Sequence, residues 1–309
     1  MRSEGIGTCW SGFGRSLSRR RMLFLVLAIL GSASLPVLFR AFDDWRVNVF
    51  WAIPANYLTC IFVGSLLAGG ELNLLELRSQ PWILFAVLQG IILAVNFFLL
   101  AHTAQRAGVS VAALASRLSV AIPSLAAFLI YGDSFNFLKI AGLAAALLSL
   151  YLCTASGGDL SAAHSPSHKL LPVLVFLTFG CYFTMLKYAQ NYYLNESSYH
   201  SYVMSGFLFA FAASLVIGLT QGVLAASDFR VHHLVGGILL GVMNYVAIYA
   251  LLKVLALKGW ESSQLFPIYS VGVVAVSSLL AVILFKERLS RLRTLNLIVG
   301  LITVTLLNR

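Results

Sequence analysis

Apolar runs long enough to cross a bilayer recur along the whole 309-residue chain, and no other feature constrains the fold as tightly. A hydrocarbon core about 30 Å thick takes about 20 mostly apolar residues in a helix. Ten runs approach or meet that length, at residues 22–39, 50–68, 82–101, 109–131, 138–153, 170–188, 199–220, 234–252, 259–285 and 292–307. The connections between them are short, which leaves no room for a separate soluble domain. Hydrophobic residues make up 60% of the chain and charged residues only 10%, against about a quarter charged in an ordinary soluble domain. A water-soluble core could not bury that much apolar surface. The expected fold is all-α and integral to a membrane, with ten transmembrane helices.

The formal charge of +10 would suggest nucleic acid in a soluble domain. Here the basic residues are scattered over the ends of the apolar runs, apart from one cluster, so no nucleic-acid surface is expected. That cluster, Arg2, Arg15, Arg19, Arg20 and Arg21 in a basic arm over residues 1–21, precedes the first run and favours a cytoplasmic N-terminus. With ten spans the C-terminus is cytoplasmic too, in a plasma or inner membrane. KERLSRLR opposes this, because it would put Lys286, Arg288, Arg291 and Arg293 outside, and without the arm the bias reverses. SRRRMLFLVLAILGSAS also has the outline of a signal peptide, but its apolar character continues into LPVLF, as a retained spanning helix requires. Cys9, Cys60, Cys153 and Cys181 are far apart, and the six histidines lie at or beyond helix ends or in connections, so neither set has the spacing of a metal site or disulfide framework. No glycine-rich phosphate loop is present. No cofactor is expected.

The second half of the chain resembles the first. QGIILAVNFFLLAHTAQRAG, ending at Gly108, aligns with LGVMNYVAIYALLKVLALKG, ending at Gly259, and the same register pairs Gly90 with Gly241, Phe98 with Tyr249 and Ser119-Val120 with Ser270-Val271. After a short shift, LIYGDSFNFLKIAG lies on ILFKERLSRLRTLN and sets Asp133 opposite Glu287, while Gly31 faces Gly180. Two repeats follow, residues 22–153 and 170–309, joined by the small, polar linker 154–169. Five helices per repeat make the second enter the membrane from the opposite side. Such inverted repeats are typical of transporters, whose halves rock about a central site.

Two stretches, AGVSVAALASRLSVAIPSLAAFLIYGDSF and GWESSQLFPIYSVGVVAVSSLLAVILFKERLS, carry a further likeness. Through them the chain from Met22 to Leu307 resembles the drug/metabolite transporter superfamily, in its ten-helix EamA-type branch. YGD and FKE match the carboxylate that the family sets at a helix end, with Asp133 in place of the more usual glutamate. The resemblance implies the EamA fold of two inverted five-helix repeats and secondary transport of a small metabolite. It does not name the substrate, since members handle amino acids, nucleosides, sugars, drugs and other metabolites.

Arg117 is the residue hardest to place in such a chain. It lies in ASRLSVAIPS, about eight residues into its run, hence about 12 Å from that end. Burying an arginine near mid-membrane costs about 2.5–3.5 kcal/mol on insertion scales, so a polar cavity or a partner is expected beside it. Ser110 and Ser124, seven residues either side, extend a polar stripe along the same face. A guanidinium there can hold an acidic or zwitterionic solute through paired hydrogen bonds. Alternatively it bonds carbonyls of a broken neighbouring helix, or a carboxylate. Pro123 favours neither reading, because the carbonyl it frees one turn earlier suits a hinge or a bond partner equally.

Glu261, near the start of the ninth run, is the one carboxylate placed within a run, and Gln264 and Tyr269 share its face. A protonatable carboxyl on a polar face is what proton coupling would use. An acid in a first helical turn is also simply favoured by the helix dipole, and that reading is preferred for Glu261. Asn56, Tyr57, Thr59, Gln89, Asn96, Asn244, Tyr245 and Tyr249 interrupt other runs. Singly, each suits a helix-to-helix hydrogen bond of about 0.6 kcal/mol. Together they suggest an aromatic-lined polar pocket among the third, fourth, eighth and ninth runs. Gly237 and Gly241 are expected to allow close packing.

The function expected is therefore alternating-access transport of a small metabolite, not an enzymatic reaction. A lipid-modifying intramembrane enzyme would need a nucleophile with a base, or clustered metal ligands, at mid-depth, and the sequence offers neither. A non-transporting scaffold or receptor stays open. The partners expected are the solute and the surrounding bilayer; coupling to protons and pairing into a homodimer are open.

Overall fold

The computed structural model describes residues 7–68, 77–119, 121–123, 166–194, 198–221, 229–256 and 262–287, with isolated positions between 125 and 148 and between 294 and 302; most side chains are described from Met22 on. These residues form eight helices: α1 Gly7–Asp44, α2 Val49–Ala68, α3 Ile83–Arg106, α4 Val109–Leu118, α5 Pro166–Tyr192, α6 Tyr199–Thr220, α7 Val231–Ala256 and α8 Ser262–Phe285. No strand occurs among the described residues. In hydrocarbon every backbone polar group has to be satisfied within the chain, and a helix does this locally. Six helices contain spans long and apolar enough to cross a membrane: Met22–Asp44, Val49–Leu67, Ile83–Arg106, Leu170–Ala189, His200–Thr220 and Val231–Leu251. The protein is all-helical and built for a membrane. The expected fifth and tenth helices lie almost wholly outside the described residues.

Three boundaries differ from the sequence expectation. The basic arm is not a separate segment, because α1 runs back to Gly7 as one 38-residue helix. α5 starts at Pro166, inside the expected linker, as suits a proline whose missing N–H costs nothing in a first helical turn. The fourth run, expected to be helical from Val109 to Tyr131, is interrupted at Ser119: α4 ends at Leu118, and residues 121–123 and 125–126 are helical again. Pro123 accounts for the break, since it has no N–H for the Ser119 carbonyl, which accepts instead from Ile122 N–H at 3.0 Å.

α1 ends differently again. Val47 N–H reaches back to the Phe42 carbonyl at 2.8 Å and Arg46 N–H to Asp43 at 3.2 Å, the paired bonds of a Schellman cap. Phe42 and Val47 are both buried, which supplies the cap's apolar contact.

The helices pack in a reciprocal pattern. If α1 to α4 are matched in order with α5 to α8, each contact between the two sets has its counterpart: α2 on α7 with α6 on α3, α1 on α7 with α5 on α3, and α1 on α8 with α5 on α4. The pairs α2 with α6 and α4 with α8 map onto themselves. Glycines sit at the closest crossings. A Cβ on Gly241 would lie 2.7 Å from the Asn56 carbonyl oxygen of α2, and one on Gly90 would lie 2.8 Å from Ala210 N of α6. These two glycines are partners in the sequence repeat, and they occupy partner crossings.

The largest apolar core lies where α1, α2, α3, α6 and α7 converge, around Phe39, Phe42, Ile53, Tyr57, Phe97, Phe207 and Leu240. Outward faces are also apolar, as at Leu58, Phe62 and Leu66 along α2, a surface suited to lipid and not to water.

Candidate functional site

α1, α4 and α8 meet at Arg117. Its guanidinium carbon lies 4.9 Å from the centroid of the Tyr269 ring on α8. The Tyr269 hydroxyl is hydrogen-bonded to Ser32 Oγ on α1, and both residues are buried. Pro36 lies four residues beyond Ser32 in α1, so the Ser32 carbonyl loses its usual helical donor at the same level. Arg117 Nε is buried without a hydrogen-bond partner, and the side chain makes no ion pair among the described residues.

Two local effects make that charge tolerable. Because α4 ends at Leu118, Arg117 stands in its last turn, where the dipole favours a cation by about 0.3–1 kcal/mol. A desolvated cation over an aromatic face adds about 2 kcal/mol. The sum approaches the insertion cost without any carboxylate. The guanidinium is thus held from one face and still has hydrogen-bonding capacity to offer.

The other end of α4 is also fixed by α8. Glu287, just past α8, accepts from Val109 N–H at 2.9 Å and from the Ser110 hydroxyl at 3.4 Å. A carboxylate here satisfies a donor that the first turn leaves open and meets the positive end of the dipole. Gly108 precedes it at φ 102°, and a Cβ there would lie 3.0 Å from Glu287 Oε1. Ser110 therefore belongs to this cap and not to the stripe expected around Arg117. The sequence signal for the cap was present in FKE, but nothing in spacing alone linked it to Gly108. Ser32 and Tyr202 were not anticipated, since a serine among small residues and a tyrosine near a helix start carry no distinctive pattern.

The remaining expected site residues separate into ties and unsatisfied groups. Asn244 Nδ2 donates to Asn56 Oδ1 at 3.2 Å, joining α7 to α2. Cys60 Sγ lies 3.4 Å from the Gly241 carbonyl at the same crossing. Tyr202 O–H donates to Gln89 Oε1, joining α6 to α3. Tyr57 O–H donates to the Leu93 carbonyl at 2.9 Å, and Thr59 bonds back to Ala55 within α2. Tyr245 is buried and stacks on Tyr249 with centroids 6.0 Å apart. Tyr249 itself continues the outward stripe of Val235, Ile238 and Val242, with Lys253 above its ring. Asn96 is fully buried, and neither its Oδ1 nor its Nδ2 has a partner; Asn56 Nδ2 is also unpartnered. Glu261, Ser124 and the side chain of Gln264 lie outside the described residues. Arg117 packs on Tyr269, about two turns into α8 from Ser262.

Among the described residues, no group of three or more His, Cys, Asp or Glu could hold a metal ion. No family model matches the chain. An uncharacterized protein of Haemophilus influenzae is 25% identical over 282 residues, covering 90% of this chain and 94% of its own length. A protein of known crystal structure is similar with a TM-score of 0.59 and 17% identity, over 93% of this chain and 96% of that one. At that identity the likeness concerns the fold alone.

Proposed function

We propose that this chain is a ten-helix transporter of the EamA type, whose two inverted five-helix repeats carry a small acidic or zwitterionic metabolite across the membrane by alternating access. The observation that carries the reading is Arg117: a half-buried cation braced by Tyr269 and a helix end, with a buried, unpartnered Nε and no carboxylate against it among the described residues. A purely structural arginine would normally spend its donors on carbonyls or an acid. The reciprocal helix contacts support the two-repeat reading, because a two-fold axis relating two repeats produces such swapped pairs. The break of α4 beside Arg117 supports a central site, since interrupted helices place backbone polar groups around transported solutes. The chemistry proposed is binding and translocation without covalent change.

The test is uptake and efflux of a metabolite panel by the full chain in reconstituted vesicles, wild type beside Arg117→Ala. Saturable movement of a carboxylate-bearing solute, lost in the variant, is expected. Wild-type vesicles that move none of the panel, or a variant that transports normally, would overturn the assignment.

A further inference from the structure

Far along α1 from Arg117, a cleft of about 740 Å³ opens between the α1–α2 turn and the start of α7. Arg46, Arg230, His232 and His233 line it together with Trp45 and Leu239, and among the described residues no carboxylate does. Asp43 and Asp44, the acids just before Arg46 in sequence, are held one turn back by Arg40 at 2.9 and 3.5 Å, and Asp228, two residues before Arg230, lies outside the described residues.

The cleft lies at a membrane boundary, since the span of α1 ends at Asp44 and that of α7 begins at Val231. Arg46, Arg230 and His232 are exposed, while His233 is buried in the wall. On the side toward the bilayer, Val235 and Leu239 are exposed as well, and so is Trp45, a residue type that favours the headgroup level. Cations at the rim and apolar groups below match the two parts of an anionic phospholipid. The start of α7 adds the positive end of its dipole.

The walls are built and not incidental. His232 Nε2 lies 3.3 Å from the Arg46 carbonyl, and Asn48 N–H donates to His233 Nδ1 at 3.2 Å, so the turn and the helix are tied across the cleft. Arg46 holds φ 55° at the position of the α1 cap usually given to glycine. A left-handed non-glycine residue is disfavoured. The strain is explained if the side chain is needed where that turn points it.

We propose that this cleft binds the phosphate of an anionic phospholipid, with Arg46 and Arg230 as its charged contacts and the acyl chains along Val235 and Leu239. The full chain, purified in neutral detergent, is titrated with phosphatidylglycerol or with phosphatidylcholine of the same acyl chains and examined by native mass spectrometry. Preferential retention of phosphatidylglycerol is expected, weakened about fivefold for each arginine removed. In the double variant Arg46→Gly with Arg230→Gln the preference is expected to vanish, while the glycine suits the backbone and leaves melting in lipid-free detergent unchanged or raised. Arg46→Lys with Arg230→Lys should keep most of it. Equal retention of the two lipids by the wild type, or undiminished phosphatidylglycerol on the double variant, would overturn the proposal. Displacement of the lipid by millimolar inorganic phosphate would overturn it too, by assigning the cleft to a soluble anion.

Discussion

At the scale of single residues, Arg117 holds a charge within an apolar run, where hydrocarbon alone would reject it. The Tyr269 face and the end of α4 together offset about 2–3 kcal/mol, close to the cost of insertion. Removing the arginine should therefore change stability by less than about 1 kcal/mol. Arg117→Ala is expected to melt within a few degrees of wild type in detergent while transport is lost. Arg117→Lys should restore transport only partly, because an ammonium keeps the charge without the planar fork. A matched fall in melting temperature and transport would make the arginine structural. Tyr269 offers a second test. Tyr269→Phe keeps the ring but loses the bond to Ser32, a cost of about 1 kcal/mol, whereas Tyr269→Ala also removes the brace under the guanidinium and should melt lower. Arg117 was legible in the sequence as a polar residue in an apolar run. Its brace was not, because a tyrosine on another helix becomes its neighbour only once α4 and α8 cross.

At the scale of elements, α4 is clamped at one end by Glu287 and released at the other by Pro123. The helix itself was legible as an apolar run, but its length was not, because the residues beyond Ser119 stay apolar and hide the break. Only the proline marks it. Gly108→Ala should destabilise the fold by about 1–2 kcal/mol, since it combines a left-handed φ with a Cβ pressed on Glu287. Glu287→Gln should cost less, about 0.3–1 kcal/mol, because the amide keeps an acceptor for Val109 and loses only its charge at the dipole. Thermal melts of the two variants test the order. At the α2–α7 crossing, Gly241→Ala places a methyl 2.6 Å from Thr59 Cβ and 2.7 Å from the Asn56 carbonyl. Both contacts are on α2, whose backbone would have to retreat, at a cost of about 1–3 kcal/mol. The sequence flagged Gly241 as a packing residue, and the crossing shows which helix it admits.

At the scale of the whole molecule, the question is whether the two sets of helices enter the membrane from opposite sides. Their reciprocal contacts, with Gly90 and Gly241 at matching crossings, are what a two-fold axis would produce, whether that axis lies in the membrane plane or along its normal. The likeness between the halves was legible because glycines and aromatic residues recur in register; the crossings were not, since contact partners come from the opposite half. An odd number of spans before α5 is the corresponding requirement. Single cysteines at Ser156 in the connection and at Arg15 near the N-terminus, in a background without native cysteines, should then react with a membrane-impermeant reagent from opposite faces in vesicles of known orientation. A cysteine at Asn308 should react from the same face as Arg15. Labelling of Ser156 and Arg15 from one face would remove the inverted arrangement, and alternating access by rocking halves with it. The same vesicles test the basic start of α1. Replacing Arg15, Arg19, Arg20 and Arg21 by glutamine removes the charge bias expected to hold the N-terminus inside, and the other Lys and Arg oppose that orientation. Arg15 should then no longer be available as a reporter, but the Ser156 and Asn308 sites should each react from both faces, which is the signature of mixed insertion. Unchanged one-sided labelling would show that another part of the chain sets its direction.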